Sequence, residues 1–207
     1  MNIEDIQKFD PQKMYQTYDD WPTYAKNALE KEFSKVQFKD VDHVVLAGMG
    51  GSGAIGDIIS AILSRENIHV SNVKGYLLPK TVDKRTLVIA TSISGNTKET
   101  LSILDYKSKS DAEFVAISSG GVMKEKCFNN SITHYDIPMI HSPRASFGAF
   151  LYSILNIFED VLPIKKAEVS ESIQKMNELE KKINSKNLNQ ENPALSLAKN
   201  INSSPLI

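Results

Sequence analysis

Three stretches of this sequence hold residues whose types and spacing could do chemistry. The first is Gly48-Met49-Gly50-Gly51-Ser52-Gly53, a G-x-G-x-x-G pattern lying between two apolar runs. Glycines let a backbone approach a ligand closely, and a helix beginning there offers unpaired N–H groups and positive potential. An anion fits such a place, and Ser52 adds a hydroxyl. A tight strand-to-helix turn that simply needs glycine is the plainer alternative. A nicotinamide cofactor would also require an acidic residue about 20 positions on, to hold its ribose. Ser71 to Tyr76 contains none, so the pattern reads better as an anion loop than as a dinucleotide fingerprint.

The second stretch is Thr91-Ser92-Ile93-Ser94-Gly95-Asn96-Thr97. Ser92, Ser94 and Thr97 crowd hydroxyls at the expected start of a helix. Phosphate oxygens accept hydrogen bonds, so hydroxyls and helix-start N–H groups together suit a phosphate monoester. Helix capping by Asn96 with Glu99 is the alternative, and it accounts for one polar group at most. No lysine lies inside the loop, which argues against a nucleotide P-loop. The third stretch is Ser142-Pro143-Arg144-Ala145-Ser146-Phe147-Gly148. A positive charge at a helix start opposes the helix dipole, so Arg144 is either a solvated surface arginine or one kept for an anionic ligand.

Positioning these loops requires strands before them and helices after them. His43-Val44-Val45-Leu46-Ala47 reads as a buried strand, with Ala54 to Leu63 a helix behind it. Ile68 to Val73, Thr86 to Ala90, Glu113 to Ile117 and Ile132 to Ile137 read as four more strands. Helices are expected at Lys98–Tyr106, Val122–Phe128 and Ala145–Val161. Such alternation predicts an α/β fold, a parallel-sheet αβα sandwich of flavodoxin-like or Rossmann-like type. Ligands in such sheets bind beyond the carboxyl ends of the strands, which is where the first two loops fall. Residues 1–40 read as a helical arm with no visible chemistry, residues 41–163 as the sheet domain, and residues 164–207 as a helical linker. Within that linker Val169, Ile173, Met176 and Ile183 share one side of a Lys/Glu-rich helix, and Asn192 caps a short helix starting at Pro193. Ser203-Ser204-Pro205 is expected to break that helix. Leu206-Ile207 begins an apolar run at the end of the chain, which reads as the first strand of a truncated second domain.

Bulk composition narrows the partners. The 207 residues are 41% hydrophobic and 24% charged, ordinary for a globular protein, and the formal net charge of −1 gives no footprint for nucleic acid. No apolar run is long enough to span a bilayer, and Met1-Asn2-Ile3-Glu4-Asp5 is unlike a signal peptide. The single cysteine, Cys127, excludes an internal disulfide framework and paired-cysteine zinc sites. A cytoplasmic location is expected.

The three stretches, in this order and spacing, resemble the bifunctional phosphoglucose/phosphomannose isomerase family of the sugar isomerase (SIS) superfamily, and the Trp21-Pro22 arm is also similar. The resemblance extends over essentially the whole chain. It implies interconversion of glucose 6-phosphate or mannose 6-phosphate with fructose 6-phosphate, two SIS domains, a homodimer, and no metal or other cofactor. Carried over residue by residue, it implies phosphosugar binding by Gly51, Ser52, Ser92, Ser94 and Thr97, with Arg144 stabilising an enediolate. Ile93 departs from the family, which usually has an aromatic there, and so does Ser146-Phe147. The larger departure is that the family's glutamate base, histidine acid and further lysine have no counterpart here; they are expected beyond Ile207. His43, His69, His134 and His141 match no family catalytic position. The chain is thus expected to bind a hexose 6-phosphate with little or no turnover alone. Rival readings are a non-catalytic phosphosugar-binding module, a compact single-domain sugar-phosphate isomerase, and, weakest for want of the ribose carboxylate, a nicotinamide oxidoreductase.

Overall fold

The computed structural model describes residues 2–203. Three helices open the chain: α1 (Ile3–Phe9), α2 (Met14–Asp19) and α3 (Trp21–Glu30). Asn2 and Asp5 cap the start of α1 reciprocally, and Pro22 sits in the first turn of α3, where a missing N–H is tolerated. Helix does not continue to residue 40 as the sequence suggests; residues 31–42 have no regular structure. The reason lies at the end of α3. The buried amide of Asn156 donates to the carbonyls of Ala28, Leu29 and Lys31 (3.1, 2.9 and 2.8 Å), satisfying the groups that further helix would have paired. Phe33, Val36, Phe38 and Val41 then pack against the core from the irregular run.

Five strands follow: β1 (His43–Ala47), β2 (His69–Val73), β3 (Thr86–Ser92), β4 (Glu113–Ser118) and β5 (Thr133–Asp136). All neighbours are parallel, in the order β2-β1-β3-β4-β5. Every residue of β1 and of β3 is buried, as expected of strands covered on both faces. Val44, Leu46, Leu87, Ile89, Val115 and Ile117 face one core; Val45, Ala47, Val88, Ala90, Phe114 and Ala116 face the other. This strict alternation is the two-residue period of a strand.

Helices form the outer layers. α4 (Gly50–Leu63) and α7 (Phe147–Ile157) cover one face with α3; α5 (Lys98–Leu104) and α6 (Gly121–Asn129) cover the other. α4 starts four residues before the expected Ala54, because the glycine run itself adopts helix. α7 is shorter than expected at both ends and is buried from Gly148 to Ile157. α8 (Lys166–Ile183) lays Val169, Ile173 and Met176 on the first core. α9 (Pro193–Ser203) is capped by Asn192, whose side-chain oxygen accepts the N–H groups of Ala194 and Leu195 (2.8 and 3.2 Å). The strand expected at Leu206-Ile207 lies outside the described residues. Among the described residues no helix is long and apolar enough to cross a membrane.

Candidate phosphate-binding site

In the strand order β2-β1-β3, the chain leaves β1 toward one side of the sheet and leaves β3 toward the other. The loops after these two neighbours therefore part, and a crevice opens between them at the carboxyl edge. Both loops are those singled out in the sequence.

The first loop enters α4 directly. Met49 is the extended residue before the helix and supplies no side-chain cap, so the N–H groups of Gly50, Gly51 and Ser52 have no partner within the helix. Gly48 and Gly53 are required sterically: a Cβ on either would lie 2.9 Å from the Ser52 carbonyl carbon or 2.8 Å from the Gly48 oxygen. Gly51 differs, having no heavy atom within 4 Å of where its Cβ would be. Its backbone faces open space. Ser52 is buried, and its hydroxyl accepts the Ile93 N–H at 3.3 Å, tying the first loop to the second.

The second loop is braced from within and from behind. Ser92 is the last residue of β3; its hydroxyl donates to Thr97 Oγ1 (3.0 Å) and accepts the Gly95 N–H (3.1 Å). Ser94 Oγ accepts the Asn96 N–H at 3.3 Å. Gly95, at φ +71°, packs so closely on Gly120 that a Cβ would fall 2.0 Å from the Gly120 oxygen. Ser119 N–H donates to the Ile93 carbonyl (3.1 Å) and Met123 N–H to the Gly95 carbonyl (2.9 Å). The capping box raised for Asn96 and Glu99 does not form. Thr97 precedes α5 without a side-chain cap, and Asn96 instead accepts the Val122 N–H at the start of α6 (3.1 Å). The loop and α6 are therefore stapled together.

The third segment forms a turn ahead of α7. Ser146 Oγ accepts the Ile140 N–H (2.7 Å) and contacts the Ser142 and Ile140 carbonyls (2.8 and 3.0 Å). The indole N–H of Trp21 donates to the Ala145 carbonyl at 2.8 Å, and its ring stacks on Phe147 with centroids 6.3 Å apart. Arg144 is exposed, and among the described residues no carboxylate or hydrogen-bond acceptor holds its guanidinium.

These segments enclose a cavity of about 520 Å³. Its polar lining is Gly51, Ser52, Ser94, Thr97 and Arg144; its apolar lining is Trp21, Met49, Ile93, Pro143 and Phe147. Five of the six residues expected to bind ligand thus meet in one cavity. Ser92 is 1% exposed and lies outside the lining, its hydroxyl engaged in shaping the turn. Trp21 was missed in the sequence, where the arm showed no chemistry; a lone tryptophan beside a helix-starting proline was the one available signal. Arg144 is the lining's only charged side chain, so the cavity is positive in character, matched to an anion.

No carboxylate, histidine or cysteine is among the lining residues. His43 and His69 lie together at the start of β1 and β2, on the opposite edge of the sheet, where both approach Ser71 (2.9 and 3.3 Å). Burial, and then the neighbouring His69, push the His43 pKa down. His134 binds Ser118 at 2.7 Å and His141 approaches the Gln12 carbonyl at 3.2 Å. Among the described residues no group of three or more His, Cys, Asp or Glu could hold a metal ion. At the end of β2, where a ribose carboxylate would sit, Asn72 and Lys74 both bind Asp57 of α4 (3.2 and 2.6 Å).

No protein-family model matches the chain. Curated proteins do. The chain is 33% identical over 172 residues to the bifunctional phosphoglucose/phosphomannose isomerase of Caldicellulosiruptor bescii, covering 80% of this chain and 51% of that protein. It is 38% identical over 140 residues to the protein of the same name from Thermoplasma volcanium, covering 68% and 43%. The chain thus spans about half the length of the curated relatives it matches. Among solved structures, the C-terminal domain of glucosamine-fructose-6-phosphate aminotransferase from Francisella tularensis superimposes with a TM-score of 0.59 at 13% identity, covering 82% of this chain and 54% of that one. That likeness concerns the fold.

Proposed function

We propose that this chain is a phosphosugar-binding part of a hexose 6-phosphate aldose–ketose isomerase, and that it holds substrate without moving the proton. The observation that carries the reading is the cavity at the sheet's crevice, where two helix starts and the hydroxyls of Ser52, Ser94 and Thr97 converge near an uncompensated Arg144. Unpaired helix-start N–H groups and hydroxyls suit the three oxygens of a phosphate monoester. The sequence similarity to phosphoglucose/phosphomannose isomerases supports a hexose phosphate substrate, read here as glucose or mannose 6-phosphate interconverted with fructose 6-phosphate.

Interconversion requires a base to take the proton from C2 of the aldose and return it to C1, through an enediolate, with an acid to help open the ring. Arg144 has the charge to stabilise the enediolate oxygens. Neither base nor acid lines the cavity, so both must come from residues outside it; a second SIS-like domain and a homodimeric assembly are the sources this reading favours. In this reading residues 41–163 supply the sheet and its two loops, the arm before them adds Trp21 to the cavity, and the helices after residue 164 serve as a linker.

Titration calorimetry with fructose 6-phosphate, alongside a coupled isomerase assay on the same chain, tests both halves. Measurable binding with little or no turnover is expected. Absence of binding would remove the phosphosugar reading; full turnover would remove the claim that the base lies elsewhere.

A further inference from the structure

The cavity lining is of two chemical kinds, and the phosphate accounts for one of them. The hydroxyls, helix starts and Arg144 make the polar part. The remaining lining is apolar, and Trp21 and Phe147 are its aromatic members. Trp21 arrives from α3, at the far end of the chain from Ala145, which it grips. Its indole N–H is committed to that carbonyl, so the ring has no donor left for a sugar hydroxyl. Tyr18 meets the ring edge-on at 5.1 Å and Phe147 stacks on it, so its orientation is fixed from two sides. Gly148 leaves room beneath: even a Cβ there would lie only at van der Waals distance, 3.9 Å, from the indole. An aromatic surface held rigidly beside a phosphate site, with its polar group occupied, offers dispersion contact and a negative π-face.

Resting on the phosphosugar reading above, we propose that Trp21, backed by Phe147, is the platform on which the C–H face of the sugar packs while its phosphate sits in the loops. A hexose 6-phosphate is amphiphilic in the same sense as the cavity: a dianion at one end and a carbon skeleton with weakly positive C–H bonds at the other. Inorganic phosphate fills only the polar part. Trp21 therefore distinguishes a phosphosugar from free phosphate, a task the hydroxyl loops cannot perform.

Trp21 also holds the turn that carries Arg144, so the test must separate stacking from scaffolding. Affinities for fructose 6-phosphate and for inorganic phosphate are measured by calorimetry on the wild-type chain, W21L, W21F and F147L, with circular dichroism to verify folding. Stacking predicts that W21L weakens fructose 6-phosphate about tenfold, a change of 1.4 kcal/mol, and leaves inorganic phosphate unchanged. W21F, which keeps a ring but loses the N–H bond to Ala145, should recover most of that loss. F147L, which removes the ring stacked on Trp21 but leaves the indole N–H bond to Ala145 in place, should weaken the sugar ligand in the same selective way. Equal losses in W21L and W21F, equal losses for both ligands, or no loss at all would each overturn the assignment. The single tryptophan gives an independent readout: its emission should shift with fructose 6-phosphate and not with phosphate. A wild-type chain that binds phosphate and fructose 6-phosphate equally, with no emission change, refutes the platform alone; one that binds neither refutes the phosphosugar reading beneath it.

Discussion

Replacing Gly95 with alanine probes how the second loop keeps its shape. Gly95 lies in the left-handed region, and a Cβ there would stand 2.0 Å from the Gly120 oxygen and 2.8 Å from its carbon. Carbon–oxygen contacts normally begin near about 3.3 Å, so the two backbones would have to separate by more than ~1 Å. Four hydrogen bonds span that seam: Met123 N–H to the Gly95 carbonyl (2.9 Å), Ser119 N–H and Oγ to the Ile93 carbonyl (3.1 and 2.7 Å) and Val122 N–H to Asn96 (3.1 Å). Weakening two of them at ~1 kcal/mol each, with roughly 1–2 kcal/mol for a side chain at left-handed φ, puts the loss near 3–4 kcal/mol. Urea denaturation followed by circular dichroism measures the stability, and calorimetry measures phosphosugar binding, which should vanish as the loop opens. Gly51→Ala is the control. Nothing crowds its Cβ position, so stability should stay within ~0.5 kcal/mol while binding weakens, because the methyl group enters the cavity. A Gly95→Ala chain within ~1 kcal/mol of wild type would refute the idea that the Gly120 loop braces the site.

The double substitution Ser94→Ala with Thr97→Ala should weaken fructose 6-phosphate by at least ~100-fold, since hydrogen bonds to a charged group contribute about 1.5–3 kcal/mol each; thermal melting should show the fold intact, and unchanged affinity would remove these hydroxyls from the site. Asn156→Ala leaves three carbonyls at the end of α3 without their donor, and should cost roughly 3 kcal/mol in urea denaturation; a change under ~0.5 kcal/mol would show that the clamp is dispensable. The pKa of His43 and of His134 is lowered, chiefly by burial. Below the ordinary value of 6.5 the unfolded chain therefore binds more protons than the folded one, and stability should fall as pH drops from 7.5 through 6.5 toward 5. Urea midpoints across that range check the sign, and a midpoint that rises on acidification contradicts it. Burial pushes the Cys127 thiol up to about 11, so a disulfide reagent at pH 8 should label it only after unfolding; rapid labelling of the folded chain would show that α6 opens readily.

The strands were the most legible part of the sequence. β1 and β3 are runs of β-branched and aliphatic residues bounded by glycine, threonine or charge, and a doubly covered strand leaves no other pattern. Helix starts were harder. Glycine lowers helix propensity, so the run from Gly50 to Gly53 read as loop, yet that run is the first turn of α4. Ser92 shows a different limit. Its residue type fits a phosphate ligand as well as Ser94 does, and only the three-dimensional path reveals that its hydroxyl closes the turn on Thr97. Trp21 could not be placed from sequence at all, because its partner Ala145 is 124 residues away. Nothing local to an amphipathic helix says which distant carbonyl it will meet.

The Asn156 clamp bears on what can be divided in this molecule. Composition changes near residue 41, and a chain begun at Val41 would keep every strand, the loops after β1 and β3, and Arg144. It would also strip Ala25 and Ala28 from α7, leave the Asn156 amide without its three carbonyls, and take away the indole that closes the cavity. Such a chain would be a sheet with its topology whole and its binding site roofless. The arm therefore contributes both to the core and to the cavity lining. Any recombination or shortening of this chain has to treat the first forty residues as inherited together with the sheet they are sewn to.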